Sequence, residues 1–281
     1  MADGAGEIQE NPAAANLVSG MADDLSVALE AARAAAEVVR DGMGRTVATD
    51  LKGAVNPVSE VDRQAEQAAL AVLGGRRPDD SILAEESGGA WPEGRVWIVD
   101  PLDGTVNFVH GIPQVAVSVA LWDDGPLVGV VVDVSRGETF AAVAGGGATL
   151  GGRPIAVSAV DSPEQALVAT GFPYDRQEHG PAYARVLGEA LRVFQGVRRF
   201  GSAALDLCWL ACGRYDGFWE FSLEPWDTAA AMLVVAEAGG VLTRHDGDPY
   251  RPGDPTLVAG NPAIHPVLRR LVADHLPDHL R

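Results

Sequence analysis

A chain of 281 residues is long enough to bury a large core, as one domain or as two closely packed halves. Its formal net charge of −18, with Lys and Arg gathered no further than pairs such as Arg76-Arg77, Arg198-Arg199 and Arg269-Arg270, excludes the basic footprint of a nucleic-acid binder. Two cysteines exclude a disulfide framework, and the longest apolar region, residues 115–134, is broken by Asp123-Asp124-Gly125 before it reaches the ~18 residues of a membrane span.

The first twenty residues are polar and Ala-rich with no basic n-region. They predict a loose tail over 1–21 rather than a signal peptide, hence a cytoplasmic protein with one domain over 22–281, its halves about 22–150 and 151–281. Residues 25–39 carry apolar side chains at helical spacing and end at Asp41-Gly42-Met43-Gly44. Residues 45–57, with Gly53 and Pro57 as breakers, predict a loop. A second helix is expected over 59–73, stopped by Gly74-Gly75. Residues 81–84 and 95–99 read as strands, each followed by acids. Two β-rich runs, 115–122 and 127–134, flank a turn, and 138–144 continues the antiparallel pattern. The glycine-rich stretch 145–152 lacks the Gly-Lys-Ser/Thr ending of a phosphate loop and falls between strands, so it predicts hairpin turns. Beyond it, strands (166–170, 217–220, 257–259) alternate with helices (183–194, 203–211, 228–238, 266–275). Cys208 and Cys212, four apart in one of these helices, read as small core residues. Consecutive hairpins mixed with helices argue for α+β layers rather than a doubly wound parallel sheet.

The sharpest chemical signal is Asp100-Pro101-Leu102-Asp103-Gly104-Thr105. The apolar run Trp97-Ile98-Val99 delivers Asp100 to a strand end, and Pro101, without an amide donor, is expected to stop the ladder. Asp103 then lies close to Asp100 across a tight turn, with Gly104 free to take unusual backbone angles. Two carboxylates so placed repel each other, and a divalent cation relieves the repulsion. Oxygen-only ligands favour Mg²⁺, Mn²⁺ or Ca²⁺ over zinc. Alone, the segment also fits an ordinary surface turn. Three further acids share this ambiguity. Glu85-Glu86 follows a strand and fits a solvated pair. Asp227, in Glu224-Pro225-Trp226-Asp227, fits a helix N-cap. Asp62 fits a first-turn acid that complements the helix dipole.

Taken together, in this order from about Lys52 to Gly240, these segments resemble the inositol monophosphatase family. Asp100 to Thr105 followed by Asn107-Phe108-Val109-His110-Gly111, and Trp226-Asp227 followed by Glu237-Ala238-Gly239-Gly240, carry the likeness. The resemblance implies a layered αβαβα sandwich with mixed and antiparallel sheets, and a catalytic role for the domain over 22–281. It implies that Glu85, Asp100, Asp103 and the Leu102 carbonyl ligate metal, that Asp227 ligates a second ion, and that each site takes two or three Mg²⁺. Asp62 and Thr105 would activate a water, and the Gly104 and Thr105 amides would meet the phosphate. Lys52 sits where the family has a mobile-loop lysine, at looser spacing. Ala203 and Glu220 would line the substrate wall, since a carboxylate accepts two hydroxyl hydrogens from a polyol. His110 would be a loop residue, and Trp97 and Trp226 would stiffen the site by packing.

The implied activity is lithium-sensitive, Mg²⁺-dependent hydrolysis of inositol monophosphate or a related polyol or sugar phosphate, by a homodimer whose partner is the small phosphate ester, without nucleic acid or membrane. Histidinol-phosphate and fructose-1,6-bisphosphate phosphatases share the metal motifs and stay open. So do a non-catalytic regulator that kept the fold and a calcium-stabilised acidic structural protein.

Overall fold

The chain builds its first layer from alanine. Helix α1 (Pro12–Gly42) buries Val27, Ala28, Ala31, Ala32, Ala35 and Val39 along one stripe, and α2 (Glu60–Arg76) answers with Val61, Ala65, Ala69 and Leu73. Small residues at i, i+3 and i+4 let the two backbones approach closely. The computed structural model describes residues 12–44, 49–51, 57–89 and 91–280. Within that range α1 begins at Pro12, so residues 12–21 of the expected tail are helical. Residues 1–11 and Lys52 lie outside the described residues.

Two other expectations differ here. Part of the expected 45–57 loop is a small antiparallel ladder, β1 (Thr49–Leu51) against β2 (Pro57–Ser59). Helix α2 runs through Gly74 and Gly75 rather than stopping before them. Each glycine costs about 1 kcal/mol in a helix interior. That loss is opposed by ion pairs at the helix end, where Arg76 reaches Glu30 and Arg77 reaches Asp23 and Asp24 on α1.

A seven-stranded sheet forms the second layer, in the order β3 (Ser81–Ala84), β4 (Val96–Asp103), β5 (Ala116–Trp122), β6 (Pro126–Asp133), β7 (Glu138–Val143), β8 (Gly147–Leu150) and β9 (Arg153–Pro154). Only the β3–β4 pair is parallel. Alternation along β4 sends Trp97 and Val99 into the core under α1 and α2, and Val96 and Ile98 into the core on the other face. Pro101 does not end this strand. Asp100 pairs with Ser118 and Asp103 with Ala116, so three steps along β4 match two along β5. This bulge absorbs the residue that has no amide to give, and the strand carries on to Asp103.

Helices α5 (Ala203–Ala211) and α6 (Pro225–Glu237) fill the third layer. Residues 228–235 of α6 are all buried, as a helix sandwiched between two sheets requires. The fourth layer is a mixed sheet in the order β11 (Gly196–Arg198), β10 (Leu167–Thr170), β12 (Gly217–Phe221), β14 (Thr256–Gly260), β13 (Val241–Thr243). Helices α4 (Arg176–Val193) and α7 (His265–Asp274) cover its outer face through Tyr183, Val186, Leu268 and Val272. The result is the αβαβα sandwich. Helix α4 opens ahead of the expected 183 and holds Pro181 in its second turn, where the missing amide removes one intrahelical bond. No helix among the described residues is long and apolar enough to cross a membrane.

Candidate metal and catalytic site

The end of β4, the short helix α3 (Thr105–Val109) and the N-termini of α5 and α6 converge on a cavity of about 580 Å³, lined among others by Glu85, Asp100, Asp103, Thr105, Glu220 and Asp227. Asp100 enters from the bulge, and its Oδ1 accepts the Leu102 amide at 2.9 Å, which fixes the side chain across the turn. Asp103 reaches the start of α5. There its Oδ2 accepts the Ser202 hydroxyl at 2.6 Å and the Ala204 amide at 2.8 Å, and the helix N-terminus favours the negative charge. Gly104 then turns the chain with φ 90°, and a Cβ there would stand 2.7 Å from the Gln114 carbonyl oxygen, so only glycine fits. Asn107 secures the turn by donating to the Gln114 carbonyl at 2.9 Å and the Phe200 carbonyl at 2.7 Å.

The remaining acids come from three other elements. Glu85 follows β3, with its amide on the Val99 carbonyl at 3.2 Å. Asp62 is buried in the first turn of α2, and its Oδ1 lies 3.1 Å from the Thr105 hydroxyl. That hydroxyl is also 3.1 Å from the Leu102 carbonyl, so its one proton has two acceptors. Asp227 is not the N-cap of α6. Glu224 holds that position, Pro225 begins the helix, and Asp227 is third within it, accepting the Glu224 amide at 2.8 Å in a capping box. Its second oxygen is left for the cavity.

Electrostatics set this cluster apart. Burial, then the charges of Glu85, Asp103 and Asp227, push Asp100 well above the usual carboxylate range. Burial and the charges of Asp103 and Glu85 do the same to Asp227. Asp103 is raised to about 6 by burial, against the hydrogen bonds from Ser202, Ala204, Ala203 and Gly104. Among the described residues, no Lys or Arg pairs with Asp100, Asp103 or Asp227. Converging carboxylates short of positive charge, with only oxygen donors around them, fit hard divalent cations.

Some expected residues are brought together and others are not. Ala203, at the start of α5, and Glu220, on β12, share one wall of the cavity. Burial raises Glu220 to about 8, with Arg199 opposing, which favours its protonated form. That form presents one donor as well as acceptors. Gly104 and Thr105 both line the cavity. His110 is exposed at the end of α3. Trp97 is buried beneath β4 and donates to Asp80 at 2.9 Å, while Trp226 is half-buried in the cavity wall. Cys208 is buried in the core and Cys212 ends α5, both as free thiols.

Sequence reasoning missed four residues. Tyr174, Arg176 and Arg199 line the cavity, and a Cβ on Gly171 would overlap the Glu220 carboxyl, so this glycine makes the seat. Arg198-Arg199 stood out only as a charge pair, and residues 171–176 carry no motif.

The αβαβα sandwich is the architecture of solved inositol monophosphatases. The sequence profile described as the inositol monophosphatase family matches residues 21–280, and the chain belongs to that family. It is 42% identical over 257 residues to an inositol-1-monophosphatase from Synechocystis, covering 89% of this chain and 88% of that one. It is 41% identical over 266 residues to the Nus factor SuhB of Pseudomonas aeruginosa, covering 92% and 98%. The crystal structure of the extragenic suppressor protein suhB from Bartonella henselae superposes with a TM-score of 0.84 at 39% identity, over 89% of this chain and 98% of that one. An inositol monophosphatase from Anabaena superposes at 0.81 and 37% identity, over 93% and 100%.

Proposed function

We propose that this protein hydrolyses a phosphomonoester of inositol, or of a related polyol or sugar, in a Mg²⁺-dependent reaction. The observation that carries the reading is the cluster of Asp100, Asp103 and Asp227, unpaired with Lys or Arg among the described residues, opening on one cavity with Thr105, whose hydroxyl is backed by buried Asp62. Glu85, Asp100, Asp103, Asp227 and the Leu102 carbonyl would hold two or three Mg²⁺, which when bound supply Lewis-acid activation of water and phosphate. Thr105 Oγ1, with its own proton turned to Asp62 Oδ1, offers a lone pair to one hydrogen of the attacking water. That proton passes through the hydroxyl to Asp62 as the water oxygen joins phosphorus. The ester bond to the leaving oxygen breaks, and solvent reprotonates the alcohol. Ala203 and Glu220 orient the substrate's hydroxyl groups. Positioning of this kind is most of what phosphoryl transfer asks of a protein.

Phosphate release should be measured on inositol monophosphate, histidinol phosphate, fructose 1,6-bisphosphate and adenosine bisphosphate, with Mg²⁺, with chelator and with Li⁺. The expected result is release from inositol monophosphate that chelator abolishes and Li⁺ inhibits. A higher rate on one of the other esters moves the substrate assignment to it, and no release from any ester ends the phosphatase reading. Thr105→Ala should keep its Mg²⁺-dependent thermal shift yet lose turnover by about 10²-fold or more, the usual worth of general-base assistance. Turnover within a few-fold of the parent would refute the role given to the Thr105–Asp62 pair.

The raised carboxylates also fix a pH dependence. In the unfolded chain Asp103 and Glu220 lose their protons near 3.8 and 4.5, and in the folded chain near 6 and 8. Stability of the metal-free protein is therefore full below the lower values and falls as pH rises through the higher ones. Mg²⁺ opposes that fall and must displace protons to bind. Its effect on Tm should be several degrees larger at pH 8 than at pH 5, read by scanning fluorimetry; equal increments would speak against a carboxylate site.

A regulatory role is a second reading, favoured by the likeness to a protein named Nus factor SuhB. Retention of Asp62, Glu85, Asp100, Asp103, Thr105 and Asp227 supports catalysis beside it. A regulator alone would bind its partners and give no chelator-sensitive phosphate release. The reading extends to a cytoplasmic homodimer, and sedimentation equilibrium tests the dimer.

A further inference from the structure

On the outer layer, Asp175, His179 and His279 bring three ligand-type atoms within 4.8 Å of one another. Asp175 is the residue before α4 and His179 follows four positions later, so one helical turn stacks them on the same face. His279 comes from the far end of the chain, in the 3₁₀ turn Asp278–Leu280. Its ring lies 3.7 Å from that of His179 and 15° from parallel, and its Nε2 is 3.9 Å from Asp175 Oδ2.

Tyr183 organises the group. Its hydroxyl donates to Asp175 Oδ1 at 2.8 Å, and burial together with that carboxylate keeps the phenol protonated. One carboxylate oxygen is thereby held in place and Oδ2 is left over, an arrangement often seen behind metal ligands. The same hydroxyl lies 3.1 Å from His279 Nε2, a contact that an ion on this nitrogen would replace.

We propose that Asp175, His179 and His279 form a surface site for a transition-metal dication of the Zn²⁺ or Ni²⁺ class, independent of the phosphatase reading. Two imidazole nitrogens and one carboxylate oxygen suit these ions and not Mg²⁺ or Ca²⁺. Bonds of about 2.0–2.2 Å put neighbouring ligand atoms roughly 3.3–3.5 Å apart in a tetrahedron, so the group must close by about 1 Å. The two rings must also splay so that their in-plane lone pairs meet at the ion. Asp175 and His279 are exposed and His179 is half-buried, so side-chain rotation alone supplies both movements. Water fills the fourth position, or Glu178, whose carboxylate is 3.9 Å from His179 Nε2. The position gives the site a consequence. Phe172, Pro173, Tyr174 and Arg176 line the cavity on either side of Asp175, so a bound ion pins the turn Asp278–Leu280 to the segment that forms the cavity wall.

The test is Zn²⁺ binding by equilibrium dialysis with the carboxylate cluster saturated by millimolar Mg²⁺. The expected result is one Zn²⁺ per chain for the parent and for Asp100→Asn, with affinity at least tenfold weaker in His179→Ala and in His279→Ala, while phosphate release in Mg²⁺ alone survives in both. Zn²⁺ should also raise Tm in the parent and not in the two histidine variants. Equal binding by parent and histidine variants, or no Zn²⁺ bound in the presence of Mg²⁺, overturns the proposal. Should a histidine variant fail to fold, Co²⁺ added to the Mg²⁺-saturated parent decides: intense visible bands of tetrahedral nitrogen ligation support the site, and their absence overturns it.

Discussion

Asp100→Asn should remove Mg²⁺-dependent phosphate release almost completely while making the metal-free protein more stable. Asparagine keeps the shape of the side chain and the oxygen that accepts the Leu102 amide at 2.9 Å, so the bulge in β4 has no reason to change. What is lost is one negative charge at the centre of the cluster. Asp100 is 1% exposed, and burial leads the causes that raise its pKa, ahead of repulsion from Glu85, Asp103 and Asp227. In the metal-free folded chain the charged form of this carboxyl is disfavoured relative to the unfolded chain, a cost that grows with pH and that asparagine removes. The same change takes away a charge that would hold Mg²⁺. A fall in turnover of about 10³-fold is expected, comparable with losing a principal electrostatic group from an active site. Three measurements go together: phosphate release, the metal-free Tm and the Tm increment on adding Mg²⁺. Release should vanish, the metal-free Tm should rise, and the increment should shrink. Retained turnover would remove Asp100 from the site, and a lower metal-free Tm would show that its carboxylate makes favourable contacts not seen here.

The parts of the site that sequence made visible are those written in consecutive residues. Asp100, Asp103, Gly104 and Thr105 sit within six positions, and the hydrophobic run before them could only be a strand. The partners of these residues are distant in the chain. Asp103 is anchored by Ser202 and Ala204, and Asn107 by Phe200. No spacing rule connects them, because the connection is made by α5 docking its N-terminus against β4. The Gly171 seat for Glu220 is likewise a matter of tertiary approach. Local signals misled where tertiary contacts outweighed them. Gly74-Gly75 reads as a stop, yet ion pairs to α1 carry α2 past it. Pro101 reads as a strand end, yet a bulge accommodates it. The five-layer order followed from likeness to a family, since alternating elements alone fix the class and not the order of strands in the second sheet.

Gly129→Ala should be among the most destabilising single substitutions in the protein, although nothing in residues 127–134 sets this glycine apart from the strand around it. Gly129 lies in β6, paired with Ala120 on β5 and Ala142 on β7, beneath α6. A Cβ there would stand 2.4 Å from the Ala230 carbonyl oxygen and 3.0 Å from its carbonyl carbon. The obstacle is helix backbone, so no rotamer change relieves the overlap. Helix α6 cannot retreat, because residues 228–235 are buried between the two sheets. Overpacking a core costs about 1–3 kcal/mol when side chains can yield, and a fixed backbone places this site at or above roughly 3 kcal/mol. Gly75→Ala is the informative control. It adds the same methyl group to a helix position with nothing within 4 Å, and should stabilise by about 0.5–1 kcal/mol through helix propensity. Urea denaturation of the two variants should therefore move in opposite directions. Activity should separate them further. Asp227 lies three residues before Ala230 on the same helix, so any shift that relieves the overlap also moves a carboxylate of the cluster. Gly129→Ala should lose turnover even under conditions where it remains folded. A neutral effect on stability would mean that α6 is free to move, and with it that Asp227 is not held by the packing described.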